Sequence, residues 1–76
     1  MKTYMNLQIE TKNEARKGDV ENAYNIAINH STINDFMKSL QLNIGASKVG
    51  RGGNHIWIMD TITNERLAII NNLFEC

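Results

Sequence analysis

Apolar and polar positions alternate over residues 3–11: Met5, Leu7 and Ile9 fall on one side and Tyr4, Asn6, Gln8 and Glu10 on the other. A period of two is the signature of a half-buried strand. Residues 12–18 are polar and end in Gly18, which reads as a loop or a frayed turn. Asp19 then stands where a carboxylate accepts from the free N–H groups of a helix's first turn. Val20, Ala23, Tyr24, Ala27 and Ile28 follow at helical spacing, and the stripe is weak because two of its members are alanine. Ser31 and Thr32 offer a second cap, with Asp35 three residues after Thr32. Ile33, Phe36, Met37 and Leu40 form a clean second stripe, which Asn43 and Gly45 end as residues that tolerate the left-handed conformation. Two helices meeting near His30 and Ser31 are the simplest reading, and one kinked helix is the alternative.

The remainder reads as three strands. Residues 46–50 form a short one, and Arg51-Gly52-Gly53 supplies a turn, since glycine reaches positive φ without steric cost. In the next strand His55, Trp57 and Met59 alternate with Ile56 and Ile58. A second turn spans 60–65. The last strand, Arg66 to Asn71, places Leu67 and Ile69 on one face and Ala68 and Ile70 on the other. Leu73, Phe74 and Cys76 form a tail that docks on the core or stays exposed. The order predicts a small α+β fold, β-α-(α)-β-β-β, with a three- to four-stranded antiparallel sheet and the helices on one face. With Ile56 and Ile58 turned to the helices, His55, Trp57 and Met59 face the open side.

Length changes the picture by limiting the core. At 76 residues the chain reads as a single domain, 1–76. A chain of this size buries only about 60% of its unfolded surface, so a homo-oligomer is a plausible source of further buried area. The single cysteine, Cys76, cannot staple the chain, which points to a cytoplasmic setting rather than a disulfide scaffold. No apolar run reaches the roughly 18 residues of a membrane span, and the first residues lack the apolar core of a signal peptide. Eight basic and eight acidic residues balance, which argues against a surface that clings to nucleic acid as a whole. Eleven asparagines, ten isoleucines and no proline suggest AT-rich coding, of the kind common in phages, mobile elements and low-GC bacteria.

Candidate chemistry gathers in Arg51–Ile58, where a cationic glycine turn enters a strand holding a histidine and the only tryptophan. Backbone N–H groups at Gly52, Gly53 and Asn54, with Arg51, Lys48 and Arg66 nearby, are suited to holding a phosphate or a partner's carboxylate. A hairpin turn with solvated charges is the plainer reading. His55 is the one candidate general base, without a carboxylate or second histidine at a diagnostic spacing. Trp57 and Met59 suit a binding surface, since tryptophan is enriched in hot spots. A core tryptophan follows if the strand faces are reversed. No spacing of His, Cys, Asp or Glu signals a metal, and Gly50-x-Gly52-Gly53 precedes a strand rather than a helix, so no phosphate-loop or dinucleotide fingerprint is present. No cofactor is expected.

From Asp35 onward, over about residues 35–70, the chain resembles HicA-type mRNA interferase toxins, which have a double-stranded-RNA-binding-like fold. Phe36-Met-Lys-Ser-Leu40 is similar to their first helix, Val49-Gly-Arg-Gly-Gly-Asn-His-Ile-Trp-Ile58 to their strand entry, and Asn64-Glu-Arg-Leu-Ala-Ile-Ile70 to their third strand. The resemblance implies a helix-plus-meander fold and RNA as a ligand. The family's catalytic histidine falls on Asn54, which cannot act as a base at neutral pH, and His55 matches a neighbouring position. The first 30 residues have no counterpart. Three functions follow as expectations. The first is a non-enzymatic protein-binding domain, such as a phage or mobile-element inhibitor that covers a functional surface of a host enzyme or defence complex, with Arg51, His55, Trp57 and Met59 in contact. The second is an RNA-binding or RNA-cleaving toxin module. The third is a self-associating structural or regulatory subunit that uses the last strand as its edge.

Overall fold

The computed structural model describes residues 2–4, 6–71 and 73–75, with side chains over 6–71. The elements run β1 (Lys2–Tyr4), β2 (Leu7–Ile9), α1 (Glu14–Ala27), α2 (Ile33–Asn43), β3 (Ser47–Gly52), β4 (His55–Asp60), β5 (Arg66–Asn71) and β6 (Leu73–Glu75). Strands β2-β5-β4-β3 form a four-stranded antiparallel sheet, and β1 pairs with β6 in a separate two-stranded ribbon. This is the expected α+β architecture, with two helices against one antiparallel sheet.

The N-terminal alternation yields two strands, because Asn6 takes φ 56 and breaks the extended run. The register nevertheless carries across the break: Leu7 lies opposite Ile70 and Tyr4 opposite Leu73. The segment 73–75, read as a tail from the sequence, is a strand paired with β1. Met5 and Cys76 lie outside the described residues.

Helix α1 is capped six residues before the expected Asp19. Asn13 is its cap, accepting from the Ala15 N–H at 3.0 Å and the Arg16 N–H at 3.5 Å. Gly18 is thus inside the helix, at a cost near 1 kcal/mol relative to alanine. Long-range bonds from Arg16 offset it. Its guanidinium donates to the Ala46 carbonyl at 3.2 Å and lies 3.3 Å from the Asp60 carboxylate, tying the first turn of α1 to the far end of the sheet. Asp19 pairs with Arg16 at 3.4 Å instead of capping.

Helix α2 begins where the sequence indicates, with Thr32 Oγ1 accepting from the Asp35 N–H at 3.1 Å. Its end differs: Ile44 is extended, and the left-handed residue is Ala46, at φ 49, rather than Asn43 or Gly45. Ala46 is held there because its carbonyl accepts from both Arg16 and the Thr61 N–H.

The core joins Val20, Ala23 and Ala27 of α1, Ile33, Phe36 and Leu40 of α2, and Ile56, Ile58, Leu67, Ala68 and Ile70 of the sheet. Two alanines allow α1 to approach closely, and Tyr24 meets Phe36 edge-on with ring centroids 6.1 Å apart. Burial raises the Tyr24 hydroxyl above its ordinary pKa. Ile28 is 37% exposed and caps α1 rather than completing the stripe. Strand β5 departs from simple alternation. Ile58 faces Ala68 but Met59 faces Arg66, so Leu67 is an extra residue. The bulge turns Leu67, Ala68 and Ile70 all into the core and leaves Ile69 on the other face. Strand β5 is also interior, between β2 and β4, so it is not available as the edge expected for self-association.

Candidate functional site

Strand β4 sets the site. Its burial alternates, with Ile56 and Ile58 fully buried and His55, Trp57 and Met59 half-buried on the side away from the helices. The strand face read from the sequence is therefore the observed one. Cross-strand registers extend it into three rows. The central row runs Gly50, Trp57, Ile69, Gln8. On one side lie Gly52, His55 and Asn71, and on the other Lys48, Met59 and Arg66.

Glycine on β3 shapes this face. A Cβ added to Gly50 would stand 2.0 Å from Trp57 Cζ2 and 2.3 Å from Cη2. The indole thus lies directly over the backbone of Gly50. The His55 ring sits similarly over Gly52, where an added Cβ would meet Nε2 at 3.2 Å. Aromatic rings laid across glycines of an edge strand restore contact that the missing side chains forgo. They also leave the face low and continuous, with Ile69 beside Trp57.

The turn is displaced from its expected place. Gly52 pairs with His55, so the two-residue loop is Gly53-Asn54, with φ 57 at Gly53. Positive φ at the first loop position is what a type II′ hairpin requires. Strand β3 therefore continues through Arg51 and Gly52. That register puts Arg51 opposite Ile56, on the helix side of the sheet. Arg51 is exposed there and does not join His55, Trp57 and Met59. Gly53 and Asn54 are exposed at the hairpin tip.

The remaining cations separate as well. Arg66 is on the open side, where Glu10 binds it through both guanidinium nitrogens Nε and Nη2 and holds it more firmly protonated. Lys48 is exposed on β3 opposite Met59. Lys48, Arg51 and Arg66 thus occupy two faces, and one of them is already neutralised. His30 lies at the helix junction, in the layer opposite His55, so the two histidines are not brought together. Among the described residues, no group of three His, Cys, Asp or Glu side chains could hold a metal ion, and no helix is long and apolar enough to cross a membrane.

Asp60 is the most strongly engaged carboxylate. It accepts from the N–H groups of Ile62 at 2.7 Å and Thr63 at 3.0 Å, closing the β4–β5 turn. These bonds lower its pKa, with the Arg16 charge adding to them against partial desolvation. Its role is to join turn, helix and sheet. Sequence reasoning missed Gln41, whose carboxamide accepts from the Val49 N–H at 2.9 Å and donates to the Ser47 carbonyl at 2.6 Å. Ile69, Gln8 and Asn71 were also missed as members of the open face. The bulge hid Ile69, while Gln41 gives no local signal. No protein-family model matches the chain, and no curated protein or solved structure matches it either.

Proposed function

We propose that this protein is a non-enzymatic binding domain that engages a protein partner through the open face of its sheet. The observation that carries the reading is the row Trp57–Ile69, an aromatic and a β-branched side chain laid side by side on the face that neither helix covers. A large, rigid ring on a flat platform, flanked by His55, Met59 and Asn71, has the composition of an interface centre with a polar rim. The contact set is thus His55, Trp57, Met59 and Ile69, with Lys48 at the margin. In a phage or mobile-element context, such a domain acts by covering a functional surface of a host enzyme or defence complex.

The RNA-directed alternative, drawn from the HicA-type resemblance, receives less support from the geometry. Phosphate binding calls for several cations on one surface. Here Arg66 is paired with Glu10 and Arg51 lies on the other side of the sheet. The resemblance places the family's base at Asn54, which cannot act as one at neutral pH. Affinity capture from a bacterial lysate tests the proposal. Trp57→Ala is expected to lose specific partners that the parent protein retains. Recovery of the same set by both proteins would remove the open face from the account.

A further inference from the structure

Strand β3 is an edge of the four-stranded sheet, and its outer side is occupied by a side chain. The Gln41 carboxamide donates to the Ser47 carbonyl and accepts from the Val49 N–H. The N–H and C=O of a single residue in a parallel neighbouring strand would bond these same two groups, flanking Lys48. Gln41 therefore stands in for one residue of a fifth strand. The hairpin register extends the edge further. Gly52 closes the turn against His55, so Ser47, Val49 and Arg51 direct their backbone groups away from β4.

The side chains of β3 describe what would fit there. Lys48 and Arg51 are both exposed and lie on opposite faces, and no acidic residue occurs in the strand. Neither takes part in an ion pair among the described residues. On the open side Gly50 and Gly52 carry no side chain of their own and are covered by the Trp57 and His55 rings, so the charged side chains of the strand are Lys48 and Arg51 alone. A β-strand that joins this edge is matched in charge when it carries acids three residues apart, one for each cation.

We propose that the outer edge of β3 is an acceptor for an extended, acidic segment of a partner protein, laid parallel to β3, and that Gln41 keeps this edge closed until the segment displaces it. Strand addition draws its affinity from main-chain hydrogen bonds and its specificity from alternate side chains. The site shares Lys48 with the margin of the Trp57 face but binds through the outward backbone groups of Ser47, Val49 and Arg51: Trp57→Ala removes the open-face ring and Arg51→Pro removes an edge N–H, so either reading can fail without the other.

The test uses the full chain and a synthetic probe, acetyl-Val-Glu-Val-Thr-Glu-Val-amide, followed by backbone amide NMR. Gln41→Ala removes two competing hydrogen bonds and is expected to bind the probe about tenfold more tightly than the parent. Gln41→Glu keeps the acceptor for Val49 and loses the donor to Ser47, so a smaller gain is expected. Shifts should centre on Val49 and Arg51. Arg51→Pro removes an outward N–H and should abolish binding, whereas Arg51→Ala should only weaken it. A spin label on the probe's N-terminus should broaden Ser47 before Gly53. Equal affinity of Gln41→Ala and parent, absence of saturable binding to Gln41→Ala, undiminished binding by Arg51→Pro, or broadening at Gly53 first would overturn the proposal.

Discussion

The indole of Trp57 lies on Gly50, its cross-strand partner, so closely that even a methyl group at Gly50 would stand 2.0 Å from the ring. The pair shows how a tryptophan can belong to a sheet's open face and still be half-buried. Strand β3 gives up a side chain, and β4 lays its largest one into the space. Gly50→Ala is expected to lift the ring off the sheet without changing its chemistry. Tryptophan emission should move to longer wavelength, and partner capture should fall as in Trp57→Ala. An unchanged emission maximum would mean that the ring does not rest on Gly50.

Gly18 occupies the interior of α1, and an added Cβ there meets nothing within 4 Å. Gly18→Ala should therefore stabilise the fold by about 0.5–1 kcal/mol, through higher helix propensity and a less flexible unfolded chain. Urea unfolding should show a higher midpoint with an unchanged slope.

Ala46 takes the left-handed conformation without the freedom of glycine. Ala46→Gly should relieve that strain and outweigh the entropy added to the unfolded chain, a net gain of about 1 kcal/mol or less. Thermal unfolding checks the sign. A lower melting temperature would show that the Ala46 methyl group contributes packing that outweighs its strain.

Asp60 links stability to acid. Its pKa is lowered in the fold, first by the Thr63 and Ile62 N–H groups and then by Arg16. The unfolded chain therefore binds the proton more readily than the folded one. The contribution is fully present above the ordinary aspartate value of about 4 and is lost as pH falls through the lower folded value. In Asp60→Asn the fold should be weaker at neutral pH, and its stability should fall less steeply below pH about 4. Denaturant titrations at a series of pH values give both slopes, and identical slopes would detach Asp60 from the acid response.

Much of this architecture is legible in the chain because each element carries its own period. The Ile33–Leu40 stripe, the Thr32 cap and the Ile56/Ile58 alternation are local signals, and each appears in the structure as read. The start of α1 was hidden because Gly18 looks like punctuation, whereas the bonds that hold its first turn reach Ala46 and Asp60, 30 or more residues away. The position of Arg51 was misjudged through the turn. Gly53-Asn54 is a recognised two-residue hairpin signal, and reading it in place of Arg51-Gly52-Gly53 moves Arg51 to the other face. The Leu67 bulge and the Gln41 bridge depend on long-range pairing, which no window of sequence reveals.

The central claim is that Trp57 and its neighbours on the open face hold a protein partner. Quantitative affinity capture with mass spectrometry, run side by side on the parent, Trp57→Ala and Ile62→Ala, tests it most directly. Ile62 serves as control because it is 79% exposed in the β4–β5 turn, away from the open-face rows. The account predicts that Trp57→Ala, still folded by circular dichroism, loses at least about 90% of the specific partner signal, as expected for a hot-spot residue, while Ile62→Ala retains it. Retention by Trp57→Ala, or equal loss in both variants, would contradict it.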